Sequence, residues 1–210
     1  MILAAALMDF LDGFSARILN AYSNIGKELD SLADLVSFGL APSLLLYQRL
    51  NSSLSGSHLS LSLELLSYSP LIITLASALR LAIFNTDTRQ TLSFIGMPTP
   101  ANAILISMLI HFAVYDSSFD SLLESLWFIP LLSIILSYLL VSSIPMFSLK
   151  TKGLNYSENK QLYIFLLLSA LIILPLIISG KIWSLYILTL FVFYIIFNTT
   201  LHLFRIVNKS

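Results

Sequence analysis

Three stretches of this chain, residues 125–149, 161–180 and 182–204, contain no Asp, Glu, Lys or Arg. A helix needs about 20 mostly apolar residues to cross a bilayer, so each stretch is long enough to do so. Residues 91–115 are also free of these four residue types, and residues 65–84 carry only Arg80. Residues 36–50 form another apolar stretch, extended backwards by Leu29, Leu32 and Ala33, and residues 1–11 form a short one. These runs predict an all-α integral membrane protein, a polytopic bundle of about seven transmembrane helices whose first helix is truncated. Only 10% of the 210 residues are charged and the mean hydropathy is +0.89. That composition excludes a disordered chain. The formal net charge of zero leaves no field to collect phosphates, so nucleic acid is not an expected partner. With no cysteine, disulfides, zinc–thiolate sites and thiol catalysis are excluded.

No long polar linker divides the chain, and one membrane domain is expected over residues 1–210. Its parts are a helix pair at 1–50, a bundle at 65–150 and two C-terminal helices at 161–204. Residues 1–11 lack a basic flank and run directly into Asp9 and Asp12, unlike a signal peptide. If the loops alternate sides, Arg17, Lys27, Arg80, Arg89, Lys150, Lys152, Lys160, Arg205 and Lys209 share one side. Arg49 and Lys181 lie on the other. The positive-inside bias then makes the first side cytoplasmic.

Asp9, Asp12, Asp30 and Asp34 lie in or beside apolar helices. Four acids facing lipid at mid-membrane would cost about 10–14 kcal/mol. They must lie near the interface, face the bundle interior or be neutralised by something bound. At about 100° per residue, Asp9 and Asp12 are about 60° apart with Ala16 between them, and Asp30 and Asp34 are one turn apart in line with Gly26. A short connection at residues 19–25 makes the two helices neighbours, so the stripes can converge. Small residues at 16 and 26 permit close backbone approach. Four ionised carboxylates in one pocket repel unless cations enter. Two divalent ions would cancel their charge, and all-oxygen ligands suit Mg²⁺, Mn²⁺ or Ca²⁺ rather than zinc or copper. Metal pairs of this kind recur in phosphoryl chemistry, and the Arg17 guanidinium suits phosphate oxygens.

The pattern Asp9-x2-Asp12-Gly13-x2-Ala16-Arg17-x8-Gly26-x3-Asp30-x3-Asp34 resembles the signature of the CDP-alcohol phosphatidyltransferases at all eight fixed positions. The blocks LDSLADLVSFGLAPSLLLY (29–47), ALRLAIFN (78–85), FIGMPTPANA (94–103) and LLVSSIPMFSLK (139–150) resemble the membrane-embedded branch of that family that uses serine as acceptor. The resemblance reaches to Lys150; the last two helices match mainly in hydrophobicity. It implies transfer of the phosphatidyl group of CDP-diacylglycerol to the hydroxyl of L-serine, with release of CMP. It implies that Asp9, Asp12 and Asp30 bind Mg²⁺ or Mn²⁺, two ions in all. Asp34 is implied as general base and as a further contact to a metal. Gly13, Ala16, Arg17 and Gly26 would hold the CDP moiety, and Arg80 and Asn85 an acceptor carboxylate or a phosphate.

The residue chemistry agrees with this. A carboxylate within hydrogen-bond reach can take the proton of an attacking hydroxyl. Nothing in the sequence suggests a covalent intermediate, which points to direct attack in a ternary complex. Membrane lipids and a second copy of the chain complete the expected partners. The expected location is the bacterial inner (cytoplasmic) membrane, with the active site facing the cytoplasm.

Other readings compete. A different acceptor, glycerol 3-phosphate or an inositol phosphate, calls for extra basic residues near the acids, and only Arg80 and Arg89 are available before Lys150. An ion-coupled transporter would show two related halves with helices broken in corresponding places, whereas these acids are confined to the first 34 residues. An inactive paralogue should have lost a motif aspartate. Family members usually carry a helix before the motif helix, and Met1 lies only eight residues before Asp9. That predicts a start further upstream or a truncated product. Arg80 either snorkels to the interface or contacts substrate. His58, His111 and His202 are isolated and read as structural, Trp127, Trp183 and Tyr186 as interfacial. Pro98 and Pro100 should start a helix, and Pro42 and Pro175 should kink theirs.

Overall fold

A computed structural model of the chain describes residues 1–19, 23–54, 61–86, 94–146 and 160–207. The apolar runs fold as helices. Helix α1 spans Ile2–Leu19 and α2 spans Asn24–Asp34. A π-helical turn, Leu35–Leu40, joins α2 to α3, Ala41–Leu54. Helix α4, Leu61–Ser67, leads through a 3₁₀ turn, Ser69–Leu71, into α5, Ile72–Thr86. Then come α6, Thr99–Ala113, α7, Ser117–Leu123, and α8, Phe128–Val141. Helices α9, Lys160–Ile178, and α10, Trp183–Val207, close the chain.

Four helical spans are long and apolar enough to cross a membrane: Ile25–Leu54, Leu63–Thr86, Lys160–Ile178 and Trp183–Phe204. A fifth is added if α7 and α8, bent by 78°, count as one. The protein is an all-α integral membrane protein, and the expected count of seven falls to four or five among the described residues. The reasons are local. Helix α6 has only 15 residues. Helix α1 carries Asp9, Asp12 and Arg17 within 18 residues. It nevertheless continues well past the short apolar run 1–11, to a length of about 27 Å.

The core lies between α3, α5, α6 and α8, where Leu46, Leu50, Ile73, Ile106, Ile129 and Leu140 are fully buried. Helix α5 packs most extensively on α8, and α10 on α6. Large apolar side chains such as Leu75, Leu131, Leu167 and Ile178 face outward, as a lipid-facing surface requires.

Two short segments fix how the helices enter this core. Phe94–Ile95 pairs antiparallel with Pro145–Met146, tying the start of α6 to the end of α8. Gly96 between them has φ +77°, and a Cβ there would meet the Leu140 carbonyl oxygen at 2.7 Å, so only glycine fits. Pro98 then stands at the N-cap of α6 with Pro100 in its first turn, as the sequence predicts.

Pro42 acts on the turn that precedes it. It lacks an N–H, and its ring would press on the Phe38 carbonyl four residues back. The preceding turn widens to the i→i+5 register, with the Ala41 N–H donating to the Val36 carbonyl. The wide turn places Gly39 against α5, where a Cβ would meet Ser77 Cβ at 3.0 Å.

Candidate metal and substrate site

Helix α1 packs chiefly on α6 and the π turn. Its acids reach across to α2 by side chain rather than through the close antiparallel packing that the short connection suggests. Carboxylate oxygens of Asp9, Asp12 and Asp30 all lie within 4.8 Å of one another. Asp9 is half-buried, Asp12 and Asp30 exposed. The convergence expected from helical spacing is therefore present for three of the four acids. Asp34 stands outside this trio, one turn on from Asp30 and half-buried, within Coulombic range of Asp9, Asp30 and Asp12.

Among the described residues, the only ion pairs join Arg49 to Asp120 and Glu124, and none of them involves the trio. Three mutually close oxygen donors are a donor set that can hold a divalent cation. The donor chemistry thus fits a hard metal ion, which Asp9, Asp12 and Asp30 could hold.

Gly13 and Ala16 are partly buried on α1. The backbone of Arg17 belongs to α1, and its side chain lies outside the described residues. Gly26 lies in the first turn of α2, where its N–H donates to Ser23 Oγ at 2.9 Å. Ser23 caps the helix, and a Cβ at residue 26 would fall 2.9 Å from the same oxygen. Residues 20–22, between the two acidic helices, are outside the described residues, as are His58, Arg89, Lys150 and Lys152.

Arg80 does not snorkel. It is 5% exposed, its Nε donates to the Met97 carbonyl at 3.2 Å, and its guanidinium sits 5.5 Å from the Phe84 ring centre. No carboxylate of the described residues pairs with it. Buried charges are ordinarily paired, so this cation is suited to an incoming anion.

Asn85 ends up beside the acidic helix. Its Nδ2 donates to Ser31 Oγ at 2.9 Å, and Lys27 Nζ donates to the Asn85 carbonyl at 3.1 Å. Ser31 Oγ itself donates to the Lys27 carbonyl at 3.2 Å. With its proton so used, Ser31 must accept from Asn85, which fixes the orientation of the amide. Lys27 and Ser31 are site-supporting residues that sequence reasoning did not single out. The signal available was their position on α2, one turn apart around Asp30.

His111 packs between Tyr115 and Trp183, at ring distances of 5.2 and 4.7 Å, which fits its structural reading. Trp183 and Trp127 are substantially exposed, as interfacial residues should be.

A family model described as CDP-alcohol phosphatidyltransferase matches residues 1–144. The CDP-diacylglycerol–serine O-phosphatidyltransferase of Mycobacterium leprae is 35% identical over 154 residues, covering 72% of this chain and 49% of the relative. The Methanocaldococcus jannaschii protein of the same name is 33% identical over 165 residues, covering 79% and 67%. The one from Bacillus subtilis is 41% identical over 103 residues, covering 47% and 51%. The chain thus spans about half the length of the M. leprae and B. subtilis relatives. The family-model match takes in every residue of the acidic site and stops before α9. The chain belongs to the CDP-alcohol phosphatidyltransferase family.

Proposed function

We propose that this chain transfers the phosphatidyl group of CDP-diacylglycerol to L-serine, giving phosphatidylserine and CMP. The convergence of the Asp9, Asp12 and Asp30 carboxylates, with Asp34 one turn further along the same helix, carries the reading. The serine acceptor is supported by the names of the relatives.

In this reading Asp9, Asp12 and Asp30 hold two divalent ions, Mg²⁺ or Mn²⁺, with Asp34 touching one of them. When bound, the ions supply charge neutralisation at the diphosphate. Gly13, Ala16 and Gly26 leave room for the CDP moiety close to the backbone, and Arg17 binds its phosphate oxygens. Arg80, buried and with no carboxylate partner among the described residues, takes the serine carboxylate or a lipid phosphate, and Asn85 lines the same mouth.

Asp34 accepts the proton of the serine hydroxyl as its oxygen attacks the phosphorus nearest the diacylglycerol. A new serine O–P bond forms, the P–O bond to CMP breaks, and CMP carries away the electron pair. No covalent enzyme intermediate is needed. The site opens to the cytoplasm at the inner membrane, where CDP and serine are water-borne while the acyl chains stay between helices.

The test is a transfer assay in membranes with CDP-diacylglycerol, labelled serine and Mn²⁺ or Mg²⁺, reading label in extracted lipid. The same assay with glycerol 3-phosphate or an inositol acceptor is the comparison. Label incorporated from serine supports the reading. CMP release with another acceptor and none with serine would replace serine and keep the family chemistry.

A further inference from the structure

The π turn at residues 35–40 begins immediately after Asp34. In an unbroken α-helix, residue i+5 lies about 140° around the axis from residue i. The i→i+5 register of a π turn instead brings it nearly beneath. Gly39 therefore falls under Asp34, Ser43 follows one α-helical turn on, and Asp30 precedes by one. Asp30, Asp34, Gly39 and Ser43 become one continuous stripe, which an α-helix without the wide turn would scatter.

The stripe lies against α5 at several levels. Near Asp30, Asn85 bonds Ser31. Gly39 abuts Ser77. At the far end Thr74 Oγ1 donates to Ser43 Oγ at 2.9 Å, and Ser43 Oγ donates to the Gly39 carbonyl at 2.6 Å. Ser43 is fully buried. Ser43 gives its proton to Gly39 and so accepts from Thr74, whose Oγ1 also lies 3.5 Å from the same Gly39 carbonyl; this Thr74–Ser43–Gly39 relay ties both helices.

We propose that this relay, together with the Gly39–Ser77 contact, holds the π register and thereby aims Asp30 and Asp34 at Asp9 and Asp12 on α1. Thr74, Ser43 and Gly39 are positioning residues for the acidic site. They touch neither metal nor substrate, and they act through the angle at which α2 presents its carboxylates. The inference rests on the reading that these acids bind a divalent ion, but it does not depend on the acceptor.

The test is Mn²⁺ titration of the purified full chain, followed by the electron paramagnetic resonance of free Mn²⁺, beside thermal stability. Thr74→Val removes one hydroxyl at nearly constant shape, and a single hydrogen bond sets the scale at roughly fivefold weaker Mn²⁺ binding. Thr74→Ser should bind like wild type. Gly39→Ala should bind more weakly still, and adding Ser77→Gly should recover part of the loss by removing the Ser77 contacts of the new methyl and leaving only that to the mobile end of Leu35. Ser133→Ala is the matched control. Its buried hydroxyl bonds the Ile129 carbonyl at 2.8 Å within α8 rather than a residue of the stripe, and its loss should lower stability without weakening Mn²⁺ binding. Folded Thr74→Val and Gly39→Ala that bind Mn²⁺ like wild type would overturn the proposal, as would an equal loss in Ser133→Ala. A wild-type chain that binds no Mn²⁺ would instead remove the metal reading on which it rests.

Discussion

The helices that carry the acids and the two that end the chain solve the same membrane problem differently. In α9 and α10, Ser169, Thr189, Asn198 and Thr199 donate to carbonyls three or four residues back on their own helix. The two helices meet through rings, with Phe165 packed on Phe193, Tyr194 and Phe197 at 5.5–5.8 Å. Around the acidic site, polar side chains bridge separate elements. Thr74 bonds Ser43, Asn85 bonds Ser31, Lys27 bonds the Asn85 carbonyl and Arg80 bonds the Met97 carbonyl. A hydroxyl that bonds its own helix satisfies itself and leaves the neighbour free to slide. A hydroxyl that bonds the next helix fixes a register. The region that must hold carboxylates within a few ångströms is the one built with cross-helix bonds, and it is the region the family match covers.

The largest effect that sharpens this contrast is expected at the converging acids. Asp12→Asn keeps the shape and removes a charge from the trio, and phosphatidyl transfer per folded molecule should fall by about 10²–10⁴-fold. Tight Mn²⁺ binding should go with it, which titration of the same sample checks.

Arg80→Gln comes next. The variant keeps a hydrogen-bond donor for Met97 and loses the buried cation. The KM for the acceptor should rise by about tenfold or more, on the scale of a charge-assisted hydrogen bond. Initial rates at varied serine, with CDP-diacylglycerol saturating, measure this.

Phe165→Ala in α9 should do the opposite. Loss of ring packing with three partners should lower the melting temperature by several degrees, with kcat and KM of the folded fraction close to wild type. An equal loss of kcat would break the division between the two regions.

The smallest effect belongs to Arg49→Gln. Arg49 Nη2 pairs with Asp120 at 2.5 Å and with Glu124 at 3.4 Å, towards the opposite end of the Ile25–Leu54 span from Asp30. The pair is partly exposed, so the stability change should be about 1 kcal/mol or less, read as a melting shift of a few degrees with transfer unchanged.

Much of this organisation was legible in the sequence, because apolar runs and helical spacing are local. The spacing of Asp9, Asp12 and Asp30 was enough to expect their convergence, and Pro98–Thr99–Pro100 was enough to place the start of α6. Asp34 was grouped with the trio because helical phase places it on the same stripe as Asp30. Phase alone does not give the distance to α1. The π turn was not legible. Pro42 announces a disturbed helix, but a kink and a widened turn satisfy proline equally well. The choice depends on what α5 presents, namely Ser77 for Gly39 and Thr74 for Ser43. The burial of Arg80 likewise depends on Met97, 17 residues away across a strand pairing that neither segment would form alone. Helix α7 and its 78° bend to α8 were not legible, because α7 precedes the uncharged run 125–149 and carries Asp120. Asp116, whose carboxylate caps α7 through the Phe119 N–H at 2.9 Å, is the local signal that the helix before it had ended.

The most direct test of the account is serine-dependent transfer with Asp34→Asn and chelator controls. Membranes containing the chain receive CDP-diacylglycerol, labelled serine and Mn²⁺, and label is counted in extracted lipid. The account predicts label with the wild-type chain and its loss both with EDTA and in Asp34→Asn. Undiminished transfer by Asp34→Asn would contradict the role given to that carboxylate. Label that persists with EDTA would contradict the metal-dependent site.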